Sequence, residues 1–238
     1  MNDQMNAPMV PPPSGISDWF SVWRDALTKP NEQTFSNMAA SPKAKSTTAF
    51  LWIFLGALVN FFLASLVQGR LMSQIMRNYN LDTTRFGGGI GAFVIRTICG
   101  APIAAVVAVV GFAIVVGIVQ LLARMFGGRG TFDQLSYAFA AIMTPFYLVT
   151  GVLTLLSAIP VVGICFGIVG ILAGLYILVL ELFAVKGVNQ FGWGQALGSL
   201  LLPVLALCCC LSVGAFAIAR AIGPNMPDIF NSFPTPLP

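Results

Sequence analysis

The sequence predicts an all-α polytopic membrane protein, a bundle of five transmembrane helices with a short amphipathic helix before it. Three observations carry the prediction. Hydrophobic residues make up 57% of the chain and charged residues only 8%, where a soluble domain carries about 25% charged residues. The apolar residues come in long unbroken runs, without the periodicity of a half-exposed helix. The few charges fall between those runs, at spacings that suit a bilayer.

Residues 1–15, rich in Pro, Asn and Met, read as a disordered tail. An amphipathic helix is expected over 17–29, with Ser17 as its N-cap, Asp18 in its first turn and Pro30 to stop it. Trp19, Trp23 and Leu27 share one face at i, i+4 and i+8. That stripe suits either the membrane surface, where indole rings favour the headgroup layer, or the side of the bundle. Residues 1–45 together form the expected cytoplasmic N-terminal region.

The first span is expected at 47–67, inside the charge-free stretch between Lys45 and Arg70. Leu71, Ile75 and Tyr79 extend its helix along the interface until Gly87-Gly88-Gly89 ends it. The second span, 98–122, lies between Arg96 and Arg124 with Pro102 in its first turn. Between Asp133 and Glu181 lie 47 uncharged residues. One helix of that length would run about 70 Å, more than twice the hydrocarbon thickness. The chain must therefore turn, and Ser157-Ala158-Ile159-Pro160 is the natural place because proline cannot continue the helix before it. The third and fourth spans follow at 137–156 and 161–183. Gly192-Trp193-Gly194-Gln195 leads into a fifth at 197–219, and the Pro-rich residues 223–238 form a disordered tail.

Five spans place the two termini on opposite sides. With the N-terminus inside, Arg24, Lys29, Lys43, Lys45, Arg124, Arg129 and Lys186 are cytoplasmic, and Arg70, Arg77, Arg85, Arg96 and Arg220 are outside. Seven against five favours N-in and C-out.

Composition excludes several functions. There are no histidines, which removes the commonest acid–base group and metal ligand. Cys99, Cys165 and the run Cys208-Cys209-Cys210 sit in apolar stretches without metal-ligand spacing. No cofactor or metal is expected. The chain lacks a Ser–His or Cys–His pair, paired carboxylates on one apolar face, a HExxH and a GxSxG, so an enzyme is not expected. The net charge of +4 is scattered and forms no stripe for nucleic acid. No cleavable signal peptide is expected, because the first 45 residues hold no apolar core segment.

After the second span the chain reads Phe126-Gly127-Gly128-Arg129-Gly130-Thr131-Phe132, and the apolar helix that follows is interrupted at Pro145. Here it resembles the Yip family, membrane proteins named for interaction with Ypt/Rab GTPases. Lys29-Pro30 with Thr34-Phe35, and Leu180–Ala196 before the last span, resemble its prokaryotic members. The resemblance implies five spans, a cytosolic N-terminus, a glycine-rich basic turn between spans two and three, and a proline in span three. It also implies a role in membrane organisation or trafficking through lipids, other membrane proteins or self-association. The Asp-Leu-Tyr-Gly-Pro motif of the eukaryotic trafficking members is absent. A Rab-type GTPase is therefore not an expected partner, and a prokaryotic cell membrane is the expected home.

Twelve positions are candidates for interaction or packing. Gly127, Gly128, Arg129, Thr131 and Phe132 form the basic turn, and Pro145 interrupts the third span. The glycines suit a tight turn with Arg129 against anionic headgroups, or a phosphate cradle. Gly163, Gly167, Gly170 and Gly174 make one small-residue stripe on the fourth span, facing a helix of the same bundle or a second copy. Glu181, the one acid inside an apolar span, is expected to reach water at the interface or to pair with Lys186 or Arg129. As a membrane-embedded acid it is also the residue a proton or ion relay would use. Asn60, Gln120 and Ser212 are candidates for interhelical hydrogen bonds. The rival to a membrane organiser is a small-solute or ion transporter or channel, although no internal repeat is visible.

Overall fold

The computed structural model describes residues 16–78, 90–156 and 160–222. The expected tail 1–15, the segment 79–89 with its three glycines, the turn 157–159 and the tail 223–238 lie outside the described residues. Among the described residues there are seven helices: α1 (Ile16–Thr28), α2 (Glu32–Ala40), α3 (Ser46–Asn78), α4 (Ile90–Met125), α5 (Phe132–Leu156), α6 (Pro160–Asn189) and α7 (Trp193–Ile222).

Four helices contain segments long and apolar enough to cross a membrane, at Ser46–Val67, Thr97–Met125, Phe132–Leu156 and Phe166–Asn189. In α7, which is 30 residues long, a shorter apolar stretch covers Trp193–Leu205. The chain is an all-α polytopic membrane protein. The outward faces of α4 and α6 carry exposed Ile103, Val107, Ile171, Leu172 and Leu175, as helices bathed in hydrocarbon require. Helix α4 begins at Ile90, so Pro102 stands about three turns inside it and not in its first turn.

The centre of the bundle is α5. Leu135 and the unbroken run from Tyr137 to Ile142 are all buried, so this helix is covered on every side over two turns. It packs most closely on α3, at small residues. A Cβ on Gly56 would lie 3.2 Å from the Thr144 carbonyl oxygen, and one on Gly151 would lie 3.2 Å from the Asn60 Cα. Between these contacts the Asn60 amide donates to the Tyr147 carbonyl at 2.9 Å and to Thr150 Oγ1 at 2.8 Å. Close backbone approach with an interhelical hydrogen bond is how helices associate where lipid removes the hydrophobic drive.

The aromatic stripe of α1 packs on the bundle. Trp19 and Trp23 both meet Trp52 of α3 edge-on, at 5.9 and 5.6 Å between centroids, and Trp52 lies 4.9 Å from Tyr137 of α5. Of the aromatic side chains of α1, Phe20 is exposed. Edge-to-face rings with their apolar area buried stabilise this seat.

Helix α2 has no counterpart in the sequence reading, which left residues 30–45 as connection. Asn31 caps it by accepting from the Thr34 amide at 2.7 Å, and Glu32 complements its dipole. Its apolar face buries Phe35, Met38 and Ala39. Helix α2 rests on α6 with backbone against backbone: a Cβ on Gly187 would fall 2.5 Å from the Glu32 carbonyl oxygen.

The glycine stripe of α6 does not pack inside the bundle. A Cβ on Gly167, Gly170 or Gly174 would meet nothing within 4 Å. The environment of Gly163 lies outside the described residues. The reason is the unequal seating of α6: its last turns are held by α2 and α5, while Ile168, Val169, Ile171 and Leu172 near the stripe are exposed.

Gly151→Leu is expected to lower the thermal midpoint in detergent, with an overpacking cost of about 1–3 kcal/mol. Gly167→Leu should leave the midpoint of the monomer unchanged. Equal destabilisation by both would contradict this placement of α5 and α6.

Candidate functional site: the polar end layer

The polar side chains collect at the end of the bundle that carries α1 and α2. There α4 and α6 end and α3, α5 and α7 begin, so the layer is rich in backbone groups that helices leave unpaired. Three glutamines close most of these gaps between elements. Gln134 of α5 donates to the Ala39 carbonyl at the end of α2, at 3.1 Å. Gln195 of α7 donates to the Phe126 carbonyl just beyond α4, at 2.9 Å, and accepts from the Gly192 amide at 2.8 Å. Gln120 of α4 donates to the Gly130 carbonyl at 2.7 Å and to Asn189 Oδ1 at 3.1 Å.

The Gly127–Gly130 turn is shaped by this layer. Gly127 has φ +89; its amide donates to the Arg124 carbonyl and the Gly128 amide to the Ala123 carbonyl, at 3.0 and 2.8 Å. This is the Schellman end of α4, which favours glycine at the left-handed position. Gly128 and Gly130 are held for a different reason, since a Cβ on them would fall 2.7 Å from Asn189 Oδ1 and from Val188 Cγ1. The turn lies directly on the end of α6. Asn189, fully buried, anchors it: its amide donates to Val185, and its carbonyl accepts from the Arg129 amide at 3.2 Å.

The other turn residues have structural work as well. Thr131 and Gln134 form a reciprocal capping box at the start of α5: the Thr131 amide donates to Gln134 Oε1 at 2.9 Å and the Gln134 amide to Thr131 Oγ1 at 3.3 Å. Phe132 packs 6.3 Å from Phe50 of α3. Asp133 accepts from the Ser46 amide at 3.3 Å, tying the starts of α3 and α5. Pro145 is half-buried inside α5, well away from this layer. The Arg129 side chain is exposed, as are Lys45 and Arg124, and no ion pair is recorded for any of the three among the described residues.

Lys186, one of the two expected partners of Glu181, is engaged elsewhere. Lys186 forms its ion pair with Glu32 of α2, and its ammonium sits 4.4 Å above the Trp193 ring of α7. The acid that takes Lys186 belongs to the helix the sequence reading missed. Glu181 lies half-buried on α6, and no hydrogen bond or ion pair to it is recorded among the described residues. Asn189, Gln134, Gln195 and Gly187 were not singled out as site residues. The Thr131-x-x-Gln134 spacing was the available signal for one of them.

Asn189→Leu is expected to destabilise the fold by about 1–3 kcal/mol, because one buried N–H of the Gln120 amide loses its acceptor while the other keeps the Gly130 carbonyl. Gly127→Ala should cost about 1–2 kcal/mol through backbone strain alone. Denaturation of the purified variants checks both, and wild-type stability in Asn189→Leu would remove the anchor role.

Neither a curated protein nor a solved structure gives a significant match to this chain. A family model described as the Yip1 domain matches residues 24–214, from α1 through most of α7. That range holds the Gly127–Gly130 turn, the glutamine ties and the α2–α6 contact, and on it the chain belongs to the Yip1 domain family of membrane proteins.

Proposed function

We propose that this protein is a non-enzymatic membrane organiser that engages lipids and other membrane proteins through its polar end layer. The observation that carries the reading is the contrast between the two parts of the bundle. Around α5 the described helices meet through apolar and small side chains and the neutral Asn60 hydrogen bonds, whereas the ion pairs and glutamine ties gather at one end, bordered by exposed Lys45, Arg124 and Arg129. Such a layer offers a rigid polar surface with free cations to headgroups or to an acidic partner. The layer is cytoplasmic in this reading, with the C-terminus outside, on the seven-to-five distribution of Lys and Arg. A prokaryotic cell membrane is the proposed location.

A small-solute or ion transporter is the second reading, and one observation favours it: Glu181 stands half-buried in an apolar helix, with no recorded ion pair among the described residues.

Crosslinking in native membranes should trap one or a few defined membrane partners through cysteines placed at Arg124 or Arg129. The protein alone in liposomes should carry no proton or cation flux. Flux that disappears in Glu181→Gln, with folding intact, would replace this reading by the transporter. For topology, single cysteines at Thr131 and Ser232 should be labelled from opposite sides, and labelling from the same side would overturn the orientation.

A further inference from the structure

A polar cleft of about 450 Å³ opens between α1 and α2 at the same end of the bundle, apart from the Gly127–Gly130 turn. Its size is within the range of small-ligand sites. One wall carries Asp25 and Lys29, which pair at 3.2 Å one helical turn apart. The other carries Thr34 and Asn37, three residues apart on α2, and Ser41, its C-cap. The floor is Tyr137 of α5, only 3% exposed, and no hydrogen bond of its hydroxyl is recorded among the described residues.

The unused hydrogen-bonding capacity defines the ligand. Asn37 Oδ1 is occupied by the Gln33 amide, which leaves the Asn37 N–H groups to donate. Ser41 Oγ accepts from the Lys43 amide, which leaves its O–H to donate. With the Tyr137 hydroxyl and the Lys29 ammonium these make a donor-rich side suited to phosphate oxygens. Asp25 is the one carboxylate among the lining residues, and it holds Lys29 and Arg24 at 3.2 and 3.5 Å. The lining is therefore dipolar with no net charge, complementary to a zwitterion more than to a simple anion.

Depth identifies the source. Tyr137 is the sixth residue of α5, about 8 Å past the helix start. The apolar span of α5 begins at Phe132, so the cleft floor stands in the first turns of a span, next to the headgroup layer. We propose that the α1–α2 cleft binds the headgroup of a zwitterionic phospholipid carrying a primary ammonium, with phosphate toward Lys29, Asn37 and Tyr137 and ammonium toward Asp25. The site is independent of partner docking at Arg124 and Arg129, so either proposal stands or falls alone.

The full chain in nanodiscs made from equal parts phosphatidylethanolamine and phosphatidylglycerol provides the test, with retained lipid read by native mass spectrometry after release. Wild type should retain the ethanolamine lipid preferentially. Asp25→Asn, Lys29→Gln and Tyr137→Phe should each reduce that preference about three- to fivefold, the size of one exposed polar contact. Asp25→Asn and Lys29→Gln alter exposed side chains, and their thermal midpoints in lipid-free detergent should match wild type. Equal retention of the two lipids by wild type, or a preference untouched by both Asp25→Asn and Tyr137→Phe, would overturn the site. Water-soluble glycerophosphoethanolamine should fail to displace the lipid at millimolar concentration; displacement would assign the cleft to a soluble ligand and overturn the lipid proposal.

Discussion

Backbone groups at helix ends have no partner within their own helix, and at a membrane surface they must find one or remain in water. In this protein the ends of α2, α4 and α6 and the starts of α3, α5 and α7 meet in one layer. Side chains from neighbouring elements do the pairing: Gln120, Gln134 and Gln195 each reach a carbonyl at or beyond another helix end, and Asp133 takes the Ser46 amide. These ties set where the turns lie. The glycines of the 127–130 turn follow from them, because the turn must pass over the buried Asn189 with almost no space between.

The same layer explains how the N-terminal helices are held. Helix α1 is seated by its tryptophans on Trp52 and by the Tyr176 hydroxyl, which donates to the Leu27 carbonyl at 2.5 Å. Helix α2 is seated by Phe35 and by contact with Gly187, and Lys43 links back to Asp18 of α1 at 2.8 Å. The exposed ion pairs among these contribute little each, on the order of 0.2–1 kcal/mol. Buried aromatic area and the close fit at Gly187 hold the pair in place, and the charges select its register.

Among the described residues the ion pairs and glutamine ties gather at this end more than in the spans. Membership of the Yip1 domain family accords with a bundle whose polar chemistry is displayed at one surface. Glu181 stands apart from this end, and Lys186 of the same helix is drawn to Glu32 and Trp193, where it fastens α2.

Pro145, read as an interruption, stands inside an unbroken α5, whereas the sequence by itself determined the membrane class, the all-α character and the family resemblance. Each of these rests on composition or on short contiguous motifs, and hydrocarbon permits so few backbone arrangements that long apolar runs specify helices. Tertiary structure alone decided three matters. Helix α2 went unread because nine residues with a weak apolar face are stable only against Gly187 and α5. The Gly167–Gly174 stripe reads as an interface by spacing, yet faces outward because a uniformly apolar helix carries no signal for which side meets its neighbours. The partner of Lys186 lies 154 residues away in the chain, and local spacing pointed to Glu181 instead. Pairing across such distances depends on which helices are brought together, and that is set by the packing of the whole bundle.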